Sequence, residues 1–227
     1  MRADRRTLVV IVVLLAALAP VVVAFLADDG GPTGGPPFDP RSTDPDGTRA
    51  FVGVLEETGI DVEVRAATVD PGGATVVVFV DLFGGDERRA LRDWVRDGGR
   101  LIMLDPFSPL GRPMRVPDDP EALEPDATCD IPALAAVTEV DLGRVEVVDR
   151  AADDAACPRF EEGALVVEQA FGDGTVVTAG IGRLLVNDAI ARRDHAALGI
   201  GAVGPTDRVL VLDAAAPGGG DRGLVAL

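Results

Sequence analysis

The pattern of apolar and polar residues between positions 74 and 105 predicts a strand, a helix and a second strand. Residues 75–80 are apolar and mostly β-branched, which is typical of a strand buried on both faces. After a Gly-Gly break, Asp86 can cap a helix whose apolar residues recur at helical spacing. These apolar residues are Ala90, Leu91, Trp94 and Val95. Gly98-Gly99 ends the helix, residues 101–104 form the second strand, and the short links predict a right-handed parallel crossover.

The rest of the chain adds elements of both kinds. Asp46-Gly47-Thr48 is predicted to open a helix that Gly59 closes, and residues 187–203 look helical. Strands are predicted at residues 60–64, 144–148, 165–169, 175–179 and 208–212, and the turn Gly172-Asp173-Gly174 predicts a hairpin. We therefore expect an α/β fold, a three-layer sandwich with a mainly parallel, flavodoxin-like sheet.

An uncharged apolar run at residues 7–27 is long enough to cross a bilayer. Arginines precede it and Asp28-Asp29 follow it, so the positive-inside rule leaves the N-terminus in the cytoplasm and the remainder outside. A cleaved signal peptide is the open alternative. The expectation is a single-pass protein of the cell membrane that contacts the lipid bilayer through residues 7–27 and has a protein partner there.

Changes in composition divide the chain into four parts. Residues 1–27 are a cytoplasmic tail and transmembrane anchor, and residues 28–45 are a linker rich in Pro, Gly and Asp. Residues 46–213 are the α/β domain, and residues 214–227 are a loose tail.

The formal net charge of −17 excludes nucleic acid as a partner, because an acidic surface repels phosphates. The two cysteines, Cys129 and Cys157, are expected to form a disulfide if the domain is exported, and two free thiols are the alternative. No spacing predicts a metal site or a cofactor: Gly180-Ile181-Gly182 lacks the third glycine of a dinucleotide loop and is interpreted as a tight turn.

Ligand-binding candidates follow the predicted parallel strands. The carboxyl ends of such strands are where open α/β sheets bind ligands. Asp81, Asp105 and Ser108 follow the first two strands of the unit, and Asn187 could add a polar group or cap a helix segment. A hydrolase or transferase would need His195 within hydrogen-bond reach of Asp105 or Ser108, directly or through one water, and no G-x-S-x-G motif supports one.

Several motifs resemble a known family. They are the apolar leader, the Pro/Asp linker, the helix opening Asp46-Gly47-Thr48-Arg49-Ala50, the run from Trp94 to Leu101, the cysteine pair, Leu185-Val186-Asn187-Asp188 and Asp194-His195-Ala196-Ala197-Leu198. In this order they resemble the bacterial "domain of unknown function 4350" family. The resemblance covers nearly everything from Pro45 to Asp213.

That family is similar to the class I glutamine amidotransferase-like fold. The resemblance places the nucleophile elbow directly after residues 101–104, where this chain has Asp105-Pro106-Phe107-Ser108 and no cysteine. It therefore implies a non-catalytic domain. Family members often occur beside a MoxR-type ATPase, which implies a protein- or ligand-binding role in a membrane-associated assembly.

Overall fold

The strands of the domain form one mixed β-sheet. The computed structural model describes residues 35–65, 71–120, 123–126 and 128–213. Within them three α-helices occur, α1 (Arg49–Glu57), α2 (Gly85–Arg96) and α3 (His195–Val203). The strands in the same residues are β1 (Asp61–Arg65), β2 (Thr75–Val78), β3 (Arg100–Met103), β4 (Met114–Arg115), β5 (Val147–Val148), β6 (Ala155–Phe160), β7 (Gly163–Phe171), β8 (Gly174–Ala179) and β9 (Arg208–Leu212).

The strand order is β1-β9-β2-β3-β8-β7-β5-β4, and β6 also pairs with β7. The first five strands of this order are parallel. The pairs β4–β5, β5–β7, β6–β7 and β7–β8 are antiparallel. The sheet therefore has a parallel half, with its helices, and an antiparallel half built from residues 114–179.

The expectation of a mainly parallel, flavodoxin-like or amidotransferase-like sandwich is wrong. Half of the strand pairings in the described sheet are antiparallel. The reason lies in the connections: β7 joins β8 through a hairpin in which Phe171 faces Gly174, and β6 joins β7 through a turn in which Phe160 faces Gly163. Connections this short permit only antiparallel pairing. β6 has no counterpart among the predicted strands.

The unit from β2 to β3 is confirmed as a parallel crossover. All four residues of β2 are buried, and Leu91 and Val95 of α2 pack on the same face of the sheet as Met103. Gly98 has φ +111°, a backbone conformation that ends helices and favours glycine. The predicted cap is wrong, because the helix begins after Gly84, whose N–H donates to Glu87 Oε2 at 2.6 Å.

Alternate side chains of the parallel strands point to two different helix layers. Val77 and Ile102 pack in one core cluster with Phe51 of α1 and Leu198 of α3. Their strand neighbours, such as Val76 and Leu101, pack under α2. The parallel half is thus covered on both faces, which leaves its strand ends as the accessible edges.

Cys129 and Cys157 form a disulfide with a Cα–Cα distance of 4.7 Å, as predicted. The bridge fastens the loop before Pro132 to β6. Two backbone hydrogen bonds accompany it, from Asp126 N to Arg159 O at 2.7 Å and from Asp130 N to Ala156 O at 3.1 Å.

The predicted membrane contact needs correction. Across the described ranges no helix is long and apolar enough to cross a bilayer, and the longest, α2, has 12 residues. The predicted span at residues 7–27 lies outside the described residues. The predictions of a lipid bilayer partner and of a single-pass membrane location are therefore not supported.

Candidate functional site

The carboxyl ends of the parallel strands β2, β3, β8 and β9 meet at one edge of the sheet, which we call the carboxyl edge. Asp81 follows β2, and Asp105 and Ser108 follow β3. The structure brings these three predicted residues into one hydrogen-bonded cluster. Residues 180–188 follow β8 at the same edge.

Asp81 is the centre of this cluster. Arg88 of α2 approaches it, with Nε 3.0 Å from each carboxylate oxygen. Ser108 Oγ donates to Asp81 Oδ2 at 2.6 Å, and Phe83 N donates to Oδ1 at 3.1 Å. The carboxylate is only 1% exposed, so these donors offset the cost of burying its charge. The bond to the carboxylate in turn raises the pKa of Arg88.

Asp105 fastens the two loops to each other. Its Oδ2 accepts the backbone N–H of Asp81 at 2.6 Å, and its Oδ1 accepts that of Phe107 at 2.9 Å. Leu110 N donates to Ser108 Oγ at 3.2 Å. Each of the predicted polar groups is therefore engaged by neighbouring protein atoms, and together they fix the shape of the edge.

His195 is fully buried and lies against other partners. Its Nδ1 is 2.9 Å from Ala189 O, and its Nε2 accepts the N–H of Asp141 at 3.1 Å. These partners fit the neutral tautomer with the proton on Nδ1. Both ring nitrogens are thus engaged away from Asp105 and Ser108, and the direct hydrogen bond of the hydrolase hypothesis is not formed.

Asn187 forms hydrogen bonds with the segment that leads into α1. Its Oδ1 accepts the N–H of Ala50 at 2.8 Å, and its Nδ2 donates to Ser42 O at 2.8 Å and Asp44 O at 2.6 Å. This geometry matches the capping alternative, because the Ala50 N–H is one of the orphan donors at the start of α1. Its three side-chain bonds go to residues 42–50, which are separate from the Asp81 cluster.

Asp194 directly precedes α3, and its side chain binds a loop. Its Oδ2 accepts the backbone N–H groups of Thr138 and Glu139 at 2.9 and 3.0 Å. These two donors lower the pKa of the Asp194 carboxyl. The side chain thus fixes a loop rather than the start of α3.

The apolar part of the carboxyl edge was not predicted from the sequence. Leu82 is 48% exposed and Phe107 is 93% exposed, each one or two residues from the polar cluster. In the sequence, Leu82 and Phe107 stand in predicted loops, and apolar residues in loops are a signal for an exposed binding surface. We call these two side chains the apolar pair.

A cavity of about 230 Å³ adjoins Leu82 and is lined mainly by apolar residues. Phe38 forms one wall, and its ring stacks on Phe79 with a centroid distance of 5.9 Å. Phe38 has φ +66°, a conformation that costs a residue with a Cβ about 1–2 kcal/mol. The loop that carries Phe38 is held in place by surrounding contacts, including the Asn187 bonds.

A second cavity, of about 430 Å³, shares Phe38 with the first in its lining. Its lining combines apolar residues with charged side chains from the segment before α1, from the turn before β5 and from the turn after β8. They include Pro37, Phe38, Asp46, Arg144, Arg183 and Asp188.

Within the parts of the chain that the structure describes, no group of three His, Cys, Asp or Glu side chains could hold a metal ion. The Gly180-Ile181-Gly182 turn is packed tightly: a Cβ on Gly180 would lie 1.8 Å from Glu146 O. Glycine is needed there for close backbone approach, which agrees with the tight-turn interpretation.

Comparison with curated proteins gives no match. Among solved structures, the cytoplasmic protein STM3548 from Salmonella typhimurium is similar at 11% identity and a TM-score of 0.49, over 70% of this chain and 86% of that one. The exo-beta-1,4-mannosidase Op5Man5 from Opitutaceae bacterium strain TAV5 is similar at 18% identity and a TM-score of 0.41, over 75% of this chain and 32% of that one. Both TM-scores are below 0.5, so neither likeness supports a statement about this chain.

A match to a protein-family model establishes the family of the chain. One family model, described as Domain of unknown function (DUF4350), matches residues 40–202. This match covers α1, α2, the disulfide and nearly all of the sheet and of α3. The chain belongs to the DUF4350 family.

Proposed function

We propose that the domain is a non-catalytic binding component that holds a protein partner at the carboxyl edge. The observation that supports this most directly is Phe107, an aromatic side chain 93% exposed on a loop that Asp105 and Ser108 fix in place. Aromatic residues presented on rigid loops are frequent anchors of protein interfaces, because they bury much area at little cost in conformational entropy.

The polar groups of the edge favour binding over chemistry. Asp81 is neutralised by Arg88, and its remaining lone pairs accept from Ser108 and Phe83. A nucleophile needs a base within hydrogen-bond reach. Ser108 has only a carboxylate that is already ion-paired, and His195 is engaged with Ala189 and Asp141.

Charge narrows the class of partner. With a net charge of −17, the chain attracts cationic surfaces and repels acidic ones. The proposed partner therefore presents an apolar patch bordered by Lys or Arg. The family resemblance adds a MoxR-type ATPase system as the assembly in which to look for it.

Photocrosslinking tests the proposal. The full chain would carry the photoreactive amino acid p-benzoylphenylalanine in place of Phe107 and be irradiated in the cells that produce it. The matched control carries it in place of Val116, which is also an exposed apolar residue, at 72%. We expect one discrete protein adduct from position 107 and none from position 116.

A second variant separates specific from random capture. Leu82→Ser removes the other half of the apolar pair and should reduce the adduct at position 107 about tenfold, as expected when a central interface anchor is lost. Equal adducts from both positions, an adduct indifferent to Leu82→Ser, or no protein adduct at position 107 would overturn the proposal.

A further inference from the structure

The second cavity, of about 430 Å³, is lined by four charged side chains, those of Asp46, Arg144, Arg183 and Asp188. Among the described residues, the Arg183 guanidinium has no hydrogen bond or ion pair, although its charge partly opposes the burial that raises the pKa of Glu146. The carboxylate of Asp46 likewise makes no hydrogen bond or ion pair to the described part of the chain. Within the described residues, one cation and one anion therefore line this cavity without a hydrogen bond or ion pair.

The other two charges in the cavity satisfy each other. Arg144 Nη1 lies 3.3 Å from both carboxylate oxygens of Asp188. The four charges of the lining thus sum to zero, with Arg183 and Asp46 as the available pair. A ligand that is itself neutral overall but carries both signs matches this arrangement best.

The volume of the cavity indicates the size of ligand that it can hold. Its volume of about 430 Å³ lies within the range of roughly 300–1,000 Å³ typical of small-molecule sites. The neighbouring cavity, of about 230 Å³, lies below that range. Phe38 and Val186 add apolar wall to the larger cavity, which can cover the carbon skeleton of a ligand.

We propose that this cavity binds a small zwitterion of the amino-acid or short-peptide class, with its carboxylate on Arg183 and its ammonium group on Asp46. The planar guanidinium presents paired N–H donors that match a carboxylate. A phosphate is disfavoured, because its second negative charge would face the Asp46 carboxylate without a compensating cation. This site does not depend on the proposed protein partner, because the apolar pair does not line the cavity.

Isothermal titration calorimetry of the purified chain tests the proposal with three probes: L-alanine, L-leucine and the dipeptide Ala-Ala. Acetate and ethylamine are the matched ligand controls, because each carries only one of the two charges. We expect at least one zwitterion to bind at least about tenfold more tightly than either control, since the control loses one charge-assisted contact.

Protein variants test the roles of the two residues. Arg183→Gln and Asp46→Asn should each weaken binding about tenfold, as loss of a charge-assisted hydrogen bond predicts. Arg150→Gln is the matched control: Arg150 is also exposed and makes no ion pair to the described residues, but it does not line the cavity, so binding should change less than about twofold.

Three results would overturn the proposal. The first is no heat of binding from any zwitterion at about 10 mM, which corresponds to a binding free energy weaker than about −3 kcal/mol. The second is equal binding of acetate and L-alanine. The third is zwitterion binding by the Arg183→Gln variant that equals binding by the parent chain. Circular dichroism of each variant confirms that the fold is retained.

Discussion

Replacing both Cys129 and Cys157 with alanine should lower the stability of the domain without changing its native contacts. The two backbone hydrogen bonds beside the bridge, Asp126 N to Arg159 O and Asp130 N to Ala156 O, still join the loop to β6. Alanine leaves no unsatisfied polar atom at position 157, where the cysteine is 2% exposed. The main effect therefore falls on the unfolded chain, which gains freedom when the cross-link is lost.

The magnitude follows from the 28 positions between the cysteines. In the chain-entropy model, closing a loop of this length removes about 12 cal/mol/K from the unfolded state, which is about 3.6 kcal/mol at 25 °C. For a domain of this size, 1 kcal/mol corresponds to roughly 2–4 °C in Tm. We expect the double variant to melt roughly 7–14 °C below the oxidised protein.

Urea unfolding followed by circular dichroism measures the effect. The oxidised chain, the reduced chain and the double alanine variant are compared, and the last two should agree within about 1 kcal/mol, because both lack the cross-link. A loss of less than about 1 kcal/mol in the double variant would refute the reasoning, because the backbone bonds would then constrain the segment sufficiently without the bridge.

Four further substitutions test positions in the domain. Burial raises the pKa of Glu146, so ionisation of this carboxyl opposes folding at neutral pH. Glu146→Gln should therefore be more stable than the parent at pH 7. Urea titrations should show that the difference in unfolding free energy vanishes near about pH 3, where Glu146 is protonated in both states. Asn187→Ala removes three hydrogen bonds and should cost about 2–3 kcal/mol, with faster hydrogen exchange in residues 42–50. Gly180→Ala should cost about 3 kcal/mol in thermal unfolding, because its Cβ would lie 1.8 Å from a carbonyl oxygen. Gly53→Ala in α1, where nothing lies within 4 Å of the added Cβ, should instead be neutral or stabilising.

The elements with strong local signals were predictable. The β-branched run of β2, the helical spacing of Leu91 and Val95 and the left-handed Gly98 each depend on neighbours within a few positions. The hairpin between β7 and β8 follows from its Gly-Asp-Gly turn for the same reason. β6 was missed, since Pro158 and the charged Arg159 interrupt its apolar pattern.

The candidate site was predictable in place but not in detail. That Asp81 and Asp105 lie at one edge follows from parallel strands ending side by side. Their actual partners were not predictable, because Arg88 reaches Asp81 only through the way α2 lies on the sheet. The stacking of Phe38 on Phe79 joins residues 41 positions apart and has no local signature.

By itself the sequence determined the local elements, the acidic surface charge and the cysteine pair, because backbone preference, side-chain period and the presence of only two thiols are local or countable properties. Only the tertiary structure decided that β9 lies between β1 and β2, that residues 114–179 form an antiparallel half and that Arg183 and Asp46 face one cavity. These features depend on which buried faces pack together across long stretches of chain. The strands β2, β8 and β9 carry similar Val-rich patterns, and only the combined packing of the helices and sheet distinguishes their neighbours.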